Sequence, residues 1–460
     1  DNPEEQVPAN TNEPDPGYGL SDEDIDDIVV ALEENDTEAV GEVLSEMGAA
    51  DVAELLGKVT EEDRQKILDE HAGGIDPEAF AELAPELRRK ALESLPPKQV
   101  ATIISALDSD DALHLIENMD AEQQQEIIRK LSAKTRVTLE EGLNFPEESA
   151  GRLMQREFVA IPQFWTVGKT IDYLRAAAAE LPDAFFDLFV ITPAYHVAGE
   201  IPLNRLVRST RDEKLENLTL EEIHPIPADM DQEEVARLFR RENLVSAPVV
   251  DPEERLIGVI TIDDVVDVID TEAQEDLLKL SGVESGDLYR AVLSTTSSRF
   301  RWLFVNLITA ILASIVISLF DATIQEIVAL AILMPIVASM GGNAGTQALT
   351  VAVRALATKE LSRSNALRVI SKEVLVGTLN GAAFAVIMGI IAALWFSNPL
   401  LGGVIAAAMI INLVFAGLCG AGVPIVLQNM GSDPAVSSTV VLTTVTDVIG
   451  FLAFLGLASI

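Results

Sequence analysis

Basic residues are scarce in this sequence: 32 Lys and Arg stand against 73 Asp and Glu in 460 residues, a formal net charge of -41. A body so acidic repels phosphate backbones and attracts cations, which argues against nucleic acid as a partner. Cysteine is nearly missing. Cys419 is alone in an apolar stretch, so no intrachain disulfide forms, as suits a reducing cytoplasm. Histidine is limited to His71, His114, His196 and His224, scattered through the first half, and no Cys-His cluster of the kind that selects zinc or copper is present. Nor is there a nucleophile-base pair, a Gly-rich phosphate loop or a catalytic metal spacing, so no enzyme is expected. The start has no apolar segment of the secretory kind. Residues 1–21 read as a disordered acidic tail, and a chain opening on Asp rather than Met is expected to lack its natural start.

Acids are also nearly absent from the last third. From Trp302 onward they are confined to Asp321, Glu326, Glu360, Glu373, Asp433 and Asp447. That contrast divides the chain. Over 22–144, apolar residues recur at helical spacing between polar turns, which predicts a helical N domain. Leu55, Leu56, Val59, Ile67 and Leu68 reappear as Leu115, Ile116, Met119, Ile127 and Ile128, and less perfectly as Ala91, Leu92, Leu95, Ile103 and Ile104. Such repetition predicts stacked helical hairpins, a short right-handed solenoid. At Phe145 the pattern changes to short β-branched strands mixed with helices, in two similar α/β copies over 145–208 and 209–270. A polar helix-like connector follows over 271–298, with Glu272, Glu275 and Asp276 on one helical face.

The remainder, 299–460, reads as about five membrane spans: Trp302–Phe320, Ile327–Leu356, Val374–Phe396, Leu401–Leu427 and Val436–Ala458. Arg299 and Arg301 precede the first span, and Lys359, Arg363, Arg368 and Lys372 lie between the second and third. The positive-inside rule places both segments, and with them the acidic body, in the cytoplasm, and leaves the C-terminus outside.

Asp447 lies deep in the fifth span beside Thr443, Thr444 and Thr446. A carboxylate in hydrocarbon costs at least ~2.5 kcal/mol on insertion scales, so such a residue faces water or a partner. No Lys, Arg or His in the spans offers itself. A cation is the simplest compensation, and a few carboxylates with hydroxyls suit hydrated Mg2+ better than a soft metal. Met340–Gln347, after Pro335, is expected to interrupt the second span and expose carbonyls. Asp433, 14 residues before Asp447 and followed by Pro434, resembles an N-cap about 21 Å away at the cytoplasmic edge.

At these residues the chain resembles the MgtE-type magnesium channels over nearly its whole length. Pro335 followed by Gly341, Gly342, Asn343, Ala344, Gly345, Thr346 and Gln347, the Asp433-Pro434-Ala435 start and Thr446-Asp447 carry the resemblance, in the family's order. It implies a helical solenoid N domain, tandem CBS domains, a plug helix and five spans in a homodimer of a bacterial-type inner membrane. Its pore would be lined by the second and fifth spans, with Asp447 of both subunits facing a hydrated Mg2+ and Gly341, Gly342, Asn343, Gln347, Thr439, Thr443 and Thr444 as further lining. The resemblance also implies regulatory Mg2+ at Asp433, Glu233, Asp264, Asp267, Glu272, Glu275 and Asp276, with Asp108, Asp110 and Asp111 facing them from the N domain. Thr261 and Asp264 fit the T-x-x-D pattern by which CBS domains hold a nucleotide ribose, which implies ATP. The chain departs from the family pattern at Ile201–Asn204, at Asn243 and at Thr439-Val440. Two alternatives stay open: a membrane-anchored Mg2+ or nucleotide sensor, and a CBS-regulated carrier of Co2+ or Na+.

Overall fold

The computed structural model describes residues 19–182, 184–283, 289–290, 292–362, 364–431 and 434–460. They form two compact units, Asp1–Glu272 and Ala273–Ile460.

The first unit opens with α1 (Asp22–Glu33), α2 (Thr37–Glu46), α3 (Ala49–Lys58), α4 (Glu61–His71), α5 (Glu78–Ala81), α6 (Pro85–Ser94), α7 (Pro97–Ala106), α8 (Ser109–Glu117), α9 (Ala121–Ile128) and α10 (Ala133–Leu143). Their starts are written locally. Ser21 and Asp24 form a capping box on α1, Thr60 and Ser132 accept from the third residue of α4 and α10, and Pro85 and Pro97 open α6 and α7. The repeated positions are the core: Leu55, Leu56, Ile67, Leu115, Ile116, Ile127, Ala91, Leu92, Ile103 and Ile104 are all buried. Polar side chains seal the turns in a repeated way. Arg64, Arg88 and Arg136 each donate to the carbonyl five residues back, on Val59, Leu83 and Leu131. Arg64 also reaches Leu56, and Gln124, 60 residues on, reaches the matching Ile116.

The α/β part comprises α11 (Ala150–Leu153), β1 (Ala160–Pro162), α12 (Val167–Ala176), β2 (Asp187–Ile191), β3 (Val197–Pro202), α13 (Leu203–Arg208), β4 (Ile226–Pro227), α14 (Gln232–Glu242), β5 (Ser246–Val250), β6 (Leu256–Thr261) and α15 (Ile262–Leu280). Two sheets, β1-β2-β3 and β4-β5-β6, share one plan: a parallel pair, then an antiparallel pair with a register shift at its far end. Asp187 pairs with Pro202 as Ser246 pairs with Thr261, which fixes the correspondence of the two copies. Strand β3 is not anticipated by the sequence pattern, because Gly199 and Glu200 interrupt its apolar run. Ala150 and Met154, with Phe145 and Leu153, pack into the core of the second copy, against Ile226, Val235 and Val249.

The expected connector over 271–298 is not a separate helix. Its first part continues α15, Gly282 turns the chain with φ +69°, and its last residues open α16. The reason lies in the side chains: nothing from Ile262 to Leu280 breaks a helix, and Gly282 is the first residue free to turn left-handed.

The second unit contains α16 (Val292–Ser318), α17 (Asp321–Glu326), α18 (Ala329–Ala357), α19 (Ala366–Trp395), α20 (Pro399–Asn429) and α21 (Pro434–Ala458). Among the described residues, five helices are long and apolar enough to cross a membrane: α16, α18, α19, α20 and the Ser438–Ala458 part of α21. Their order in space follows from burial. Half of the most apolar stretch of α20 is buried but only 6% of that of α16, so α20 is central and α16 peripheral. The expected break in α18 does not occur, since the helix runs unbroken through Pro335 and Gly341-Gly342. The glycines serve close approach instead. A side chain at Gly341 would strike Asn412, one at Gly345 would meet Leu442, and one at Gly420 would meet the Gly345 carbonyl.

Candidate cation sites

In the first unit the structure brings together acids that the sequence places far apart. Asp110, in the first turn of α8, lies against Asp264, in the first turn of α15, and Asp111 and Asp267 join the same field. Burial pushes the Asp264 carboxyl up to about 7, and Asp263 and Asp111 add to the rise. Asp111 is likewise pushed by burial up to about 6, partly offset by His114. Asp110, 9% exposed, is raised well above the usual carboxylate range by burial and then by Asp264 and Asp111. Glu82 and Asp267 are raised as well, each mainly by burial. Arg88 is the buried counter-charge on this side. Its own burial lowers it to about 10, against the pull of Asp111, Glu117, Glu82 and Asp267.

The α8 and α15 acids are held at this seam by contacts on either side of it. The Ser109 hydroxyl donates to Glu157 at 2.6 Å, and Arg152 pairs with Glu117 at 3.0 Å. These link the helical part to the segment before β1. The expected regulatory residues are divided in the structure. Glu233 lies in the first turn of α14, and its neighbour Gln232 donates to Glu272 at 2.7 Å. Glu275 is ion-paired with Lys279 on α15. Asp433 lies outside the described residues. Among the described residues, no three His, Cys, Asp or Glu of one chain converge closely enough to hold a metal. The Thr261 hydroxyl donates to Asp264 at 2.9 Å, so the T-x-x-D pair is closed on itself.

In the second unit Asp447 is half-buried on α21, with no hydrogen-bond or ion-pair partner among the described residues. The neighbouring threonines donate to their own helix: Thr443 to Thr439, Thr444 to Val440 and Thr446 to Leu442. Donation leaves each hydroxyl oxygen free to accept. Thr439 instead donates to the Leu280 carbonyl at 3.0 Å, and Leu280 packs with Leu349, Val353 and Leu442. The end of α15 is thus held on α18 and α21. Helix α18 presents Ser339, Asn343, Thr346, Gln347 and Thr350 as an exposed polar stripe, unusual on a helix otherwise so apolar.

Sequence reading missed Asn412. It is fully buried in α20, donates to the Val337 carbonyl at 2.8 Å and lies where side chains on Gly341 or Gly450 would strike it. Its one signal is an amide within a long apolar run.

Comparisons with known proteins cover the same regions. The model of the MgtE family, described as a divalent cation transporter, matches residues 334–457. That of the MgtE intracellular N domain matches 47–148, and that of the CBS domain matches 215–271. Magnesium transporter MgtE of Bacillus subtilis (strain 168) is 30% identical over 434 residues, 94% of this chain and 96% of that protein. Magnesium transporter MgtE of Thermus thermophilus is 32% identical over 434 residues, 93% and 96% of the two chains. A crystal structure of the cytosolic domain of the Mg2+ channel MgtE in complex with ATP matches with 30% identity and a TM-score of 0.50, over 53% of this chain and 99% of that one. With its five apolar helices the protein is a multi-pass membrane protein whose helical and CBS domains are cytoplasmic. Identity of 30% or more along more than nine-tenths of the chain establishes that it belongs to the MgtE family of divalent cation transporters.

Proposed function

We propose that this chain transports Mg2+ as a homodimeric channel, with Asp447 of each subunit facing the ion, and that its cytoplasmic acids close the path when Mg2+ is abundant. The observation that carries the reading is the unpartnered, half-buried carboxylate on an apolar helix. Mg2+ gives up its water reluctantly, so a site for the hydrated ion needs acceptors for water protons more than direct ligands. Asp447 and the lone pairs of Thr443 and Thr444 are such acceptors. Two carboxylates across a symmetry axis neutralise one divalent ion, and the polar stripe of α18 is a surface that a second copy would cover. Asn343 and Gln347 on that stripe, and Gly342, which has open space around it, are the lining that α18 offers.

Control begins at the seam between α8 and α15. Asp110, Asp111, Asp264 and Asp267 repel one another when ionised, so a divalent cation between them favours the docked arrangement over the separated one. Glu233 and Glu272 offer a second place for the ion at the start of α14. The domain limits follow the same division, with the helical N domain over 22–144 and the CBS pair over 145–270. The connector, begun by α15, acts as the plug, and its terminal Leu280 rests on the pore helices.

An adenine nucleotide is the other ligand expected of a CBS pair, and a related cytosolic domain was crystallised with ATP. The residues here do not fit one. The large cleft of the pair is lined by Asp187, Glu200, Glu221, Glu222 and Glu242, which oppose a polyphosphate.

Liposomes carrying the purified protein and a Mg2+-sensitive dye test the proposal, with Co2+ and Na+ as competitors. Uptake that saturates with Mg2+, resists Na+ and disappears in Asp447→Ala is the expected result. Uptake unchanged by that substitution overturns the pore assignment.

A further inference from the structure

A cavity of about 1120 Å³ lies between the two α/β copies. Phe185, Phe186, Leu203 and Leu244 give it apolar walls. Its floor is acidic. Asp187 and Glu200 are only 7% and 6% exposed, yet both face the cavity from neighbouring strands, β2 and β3. The Ser246 hydroxyl donates to Asp187 at 2.6 Å, whereas the Glu200 carboxyl has no hydrogen-bond partner among the described residues. Burial, and then Asp187, push Glu200 up to about 8. Glu221, Glu222 and Glu242 surround the mouth, the last paired with Arg241, and Arg208 and His224 are the basic groups of the lining.

The second copy shows that the fold does not require this pair. Through the matched registers, Asp187 corresponds to Ser246 and Glu200 to Val259. One copy therefore carries a hydroxyl and a buried valine where the other carries two carboxylic acids. Burying an acid without a partner is costly, and groups with raised proton affinity in a cleft mark binding sites. A triphosphate brings about four negative charges to a lining whose acidic side chains outnumber its basic ones, Arg208 and His224, which disfavours it. A cation meets the opposite field, and aromatic faces add to its attraction.

We propose that this cleft is a binding site for an organic ammonium ion, a protonated amine on an apolar or aromatic body, and not for a nucleoside triphosphate. The ammonium group sits between Asp187 and Glu200 and the body against Phe185, Phe186 and Leu244. Glu200 holds a proton at neutral pH and gives it up to the solvent when the cation settles beside it.

Isothermal titration of the full chain in detergent with EDTA, against phenethylamine, its neutral counterpart 2-phenylethanol and ATP, tests the idea. Phenethylamine is expected to bind about tenfold or more tightly than the alcohol, as the loss of a charge-assisted bond implies. Binding at pH 7 releases on the order of one proton, seen as a heat that changes with the buffer, because a group with pKa near 8 is mostly protonated there. ATP gives no saturating heat. Glu200→Gln weakens the amine about tenfold, and Glu200→Val, which copies the residue of the second copy, weakens it further. Equal binding of amine and alcohol, saturable ATP binding, or unchanged affinity in Glu200→Val overturns the proposal. Should the Glu200 variants not fold, the rim double variant Glu221→Gln/Glu222→Gln decides: a loss of about threefold supports the site and unchanged affinity overturns it.

Discussion

In the cytoplasmic unit buried acids come in company, and in the membrane unit one stands alone. Burial raises the proton affinity of Asp110, Asp111, Asp264 and Asp267, and neighbouring carboxylates add to it: Asp264 and Asp111 at Asp110, Asp263 and Asp111 at Asp264, Asp108 at Asp111, and Asp263 and Asp270 at Asp267. Asp111 and Asp264, pushed up to about 6 and about 7, are therefore placed to change charge near neutral pH. Asp447 has threonines for neighbours and, among the described residues, no hydrogen-bond or ion-pair partner. A cluster of like charges makes a switch, since its energy depends on occupancy. A lone charge in an apolar wall makes a standing attraction for a passing cation, with too little ligation to hold it.

The strongest way to break that contrast is at the lone acid. Asp447→Ala should reduce Mg2+ uptake into liposomes by about a hundredfold or more while gel filtration shows an unchanged oligomer, since no second carboxylate among the described residues replaces it. Uptake reduced only twofold would mean that the acid packs rather than attracts.

The cluster should respond differently, losing control without losing flux. Asp110→Asn/Asp264→Asn removes two mutually repelling charges, so the cytoplasmic body should resist limited proteolysis without Mg2+. The Mg2+ concentration that inhibits uptake should shift by about tenfold, a coupling of ordinary size. A variant that still needs millimolar Mg2+ for protection would move the switch elsewhere.

Protons should imitate the metal at the cluster. A carboxyl whose folded pKa is raised stabilises the fold fully below its unfolded value near 4 and loses that contribution as pH rises through the folded one. For Asp111 and Asp264 the window runs from about 4 to about 7. Metal-free protein should therefore melt about 2–4 °C higher at pH 5 than at pH 8, and saturating Mg2+ should narrow the gap. Thermal melts at the two pH values, with EDTA or Mg2+, read this directly.

The smallest effect is expected in the membrane unit away from its acid. Asn412→Ala gives up one buried hydrogen bond and should cost about 1–2 kcal/mol in stability, with Mg2+ selectivity unchanged. Altered selectivity would place the amide in the ion path.

Much of this architecture is legible in the sequence where period and composition are strong. The apolar runs of the five spans and the repeats at Leu55, Ala91 and Leu115 are long enough to be unambiguous, and the repeated residues are the buried ones. Isolated small residues carry less information. Gly341-Gly342 reads as a break from sequence, yet a glycine equally permits close helix approach, and only the presence of Asn412 opposite Gly341 decides between them. The meeting of Asp110 with Asp264 was readable only through family resemblance, because 154 residues separate them and neither sits in a metal-ligand spacing. Glu200 was invisible for a plainer reason. A glutamate beside a glycine in a short strand reads as surface, and its burial follows from how two copies face each other.

Helix α15 gives that meeting reach. Its 19 residues start at the acids of the seam and end at Leu280, a rod about 28 Å long. A tilt of about 10° around its first turn carries the far end sideways by about 5 Å, close to the pitch of an α-helix. In the control proposed above, leverage of that kind would turn an ångström-scale repulsion between carboxylates into a displacement about as wide as a hydrated ion, with no residue of the helix having to unfold.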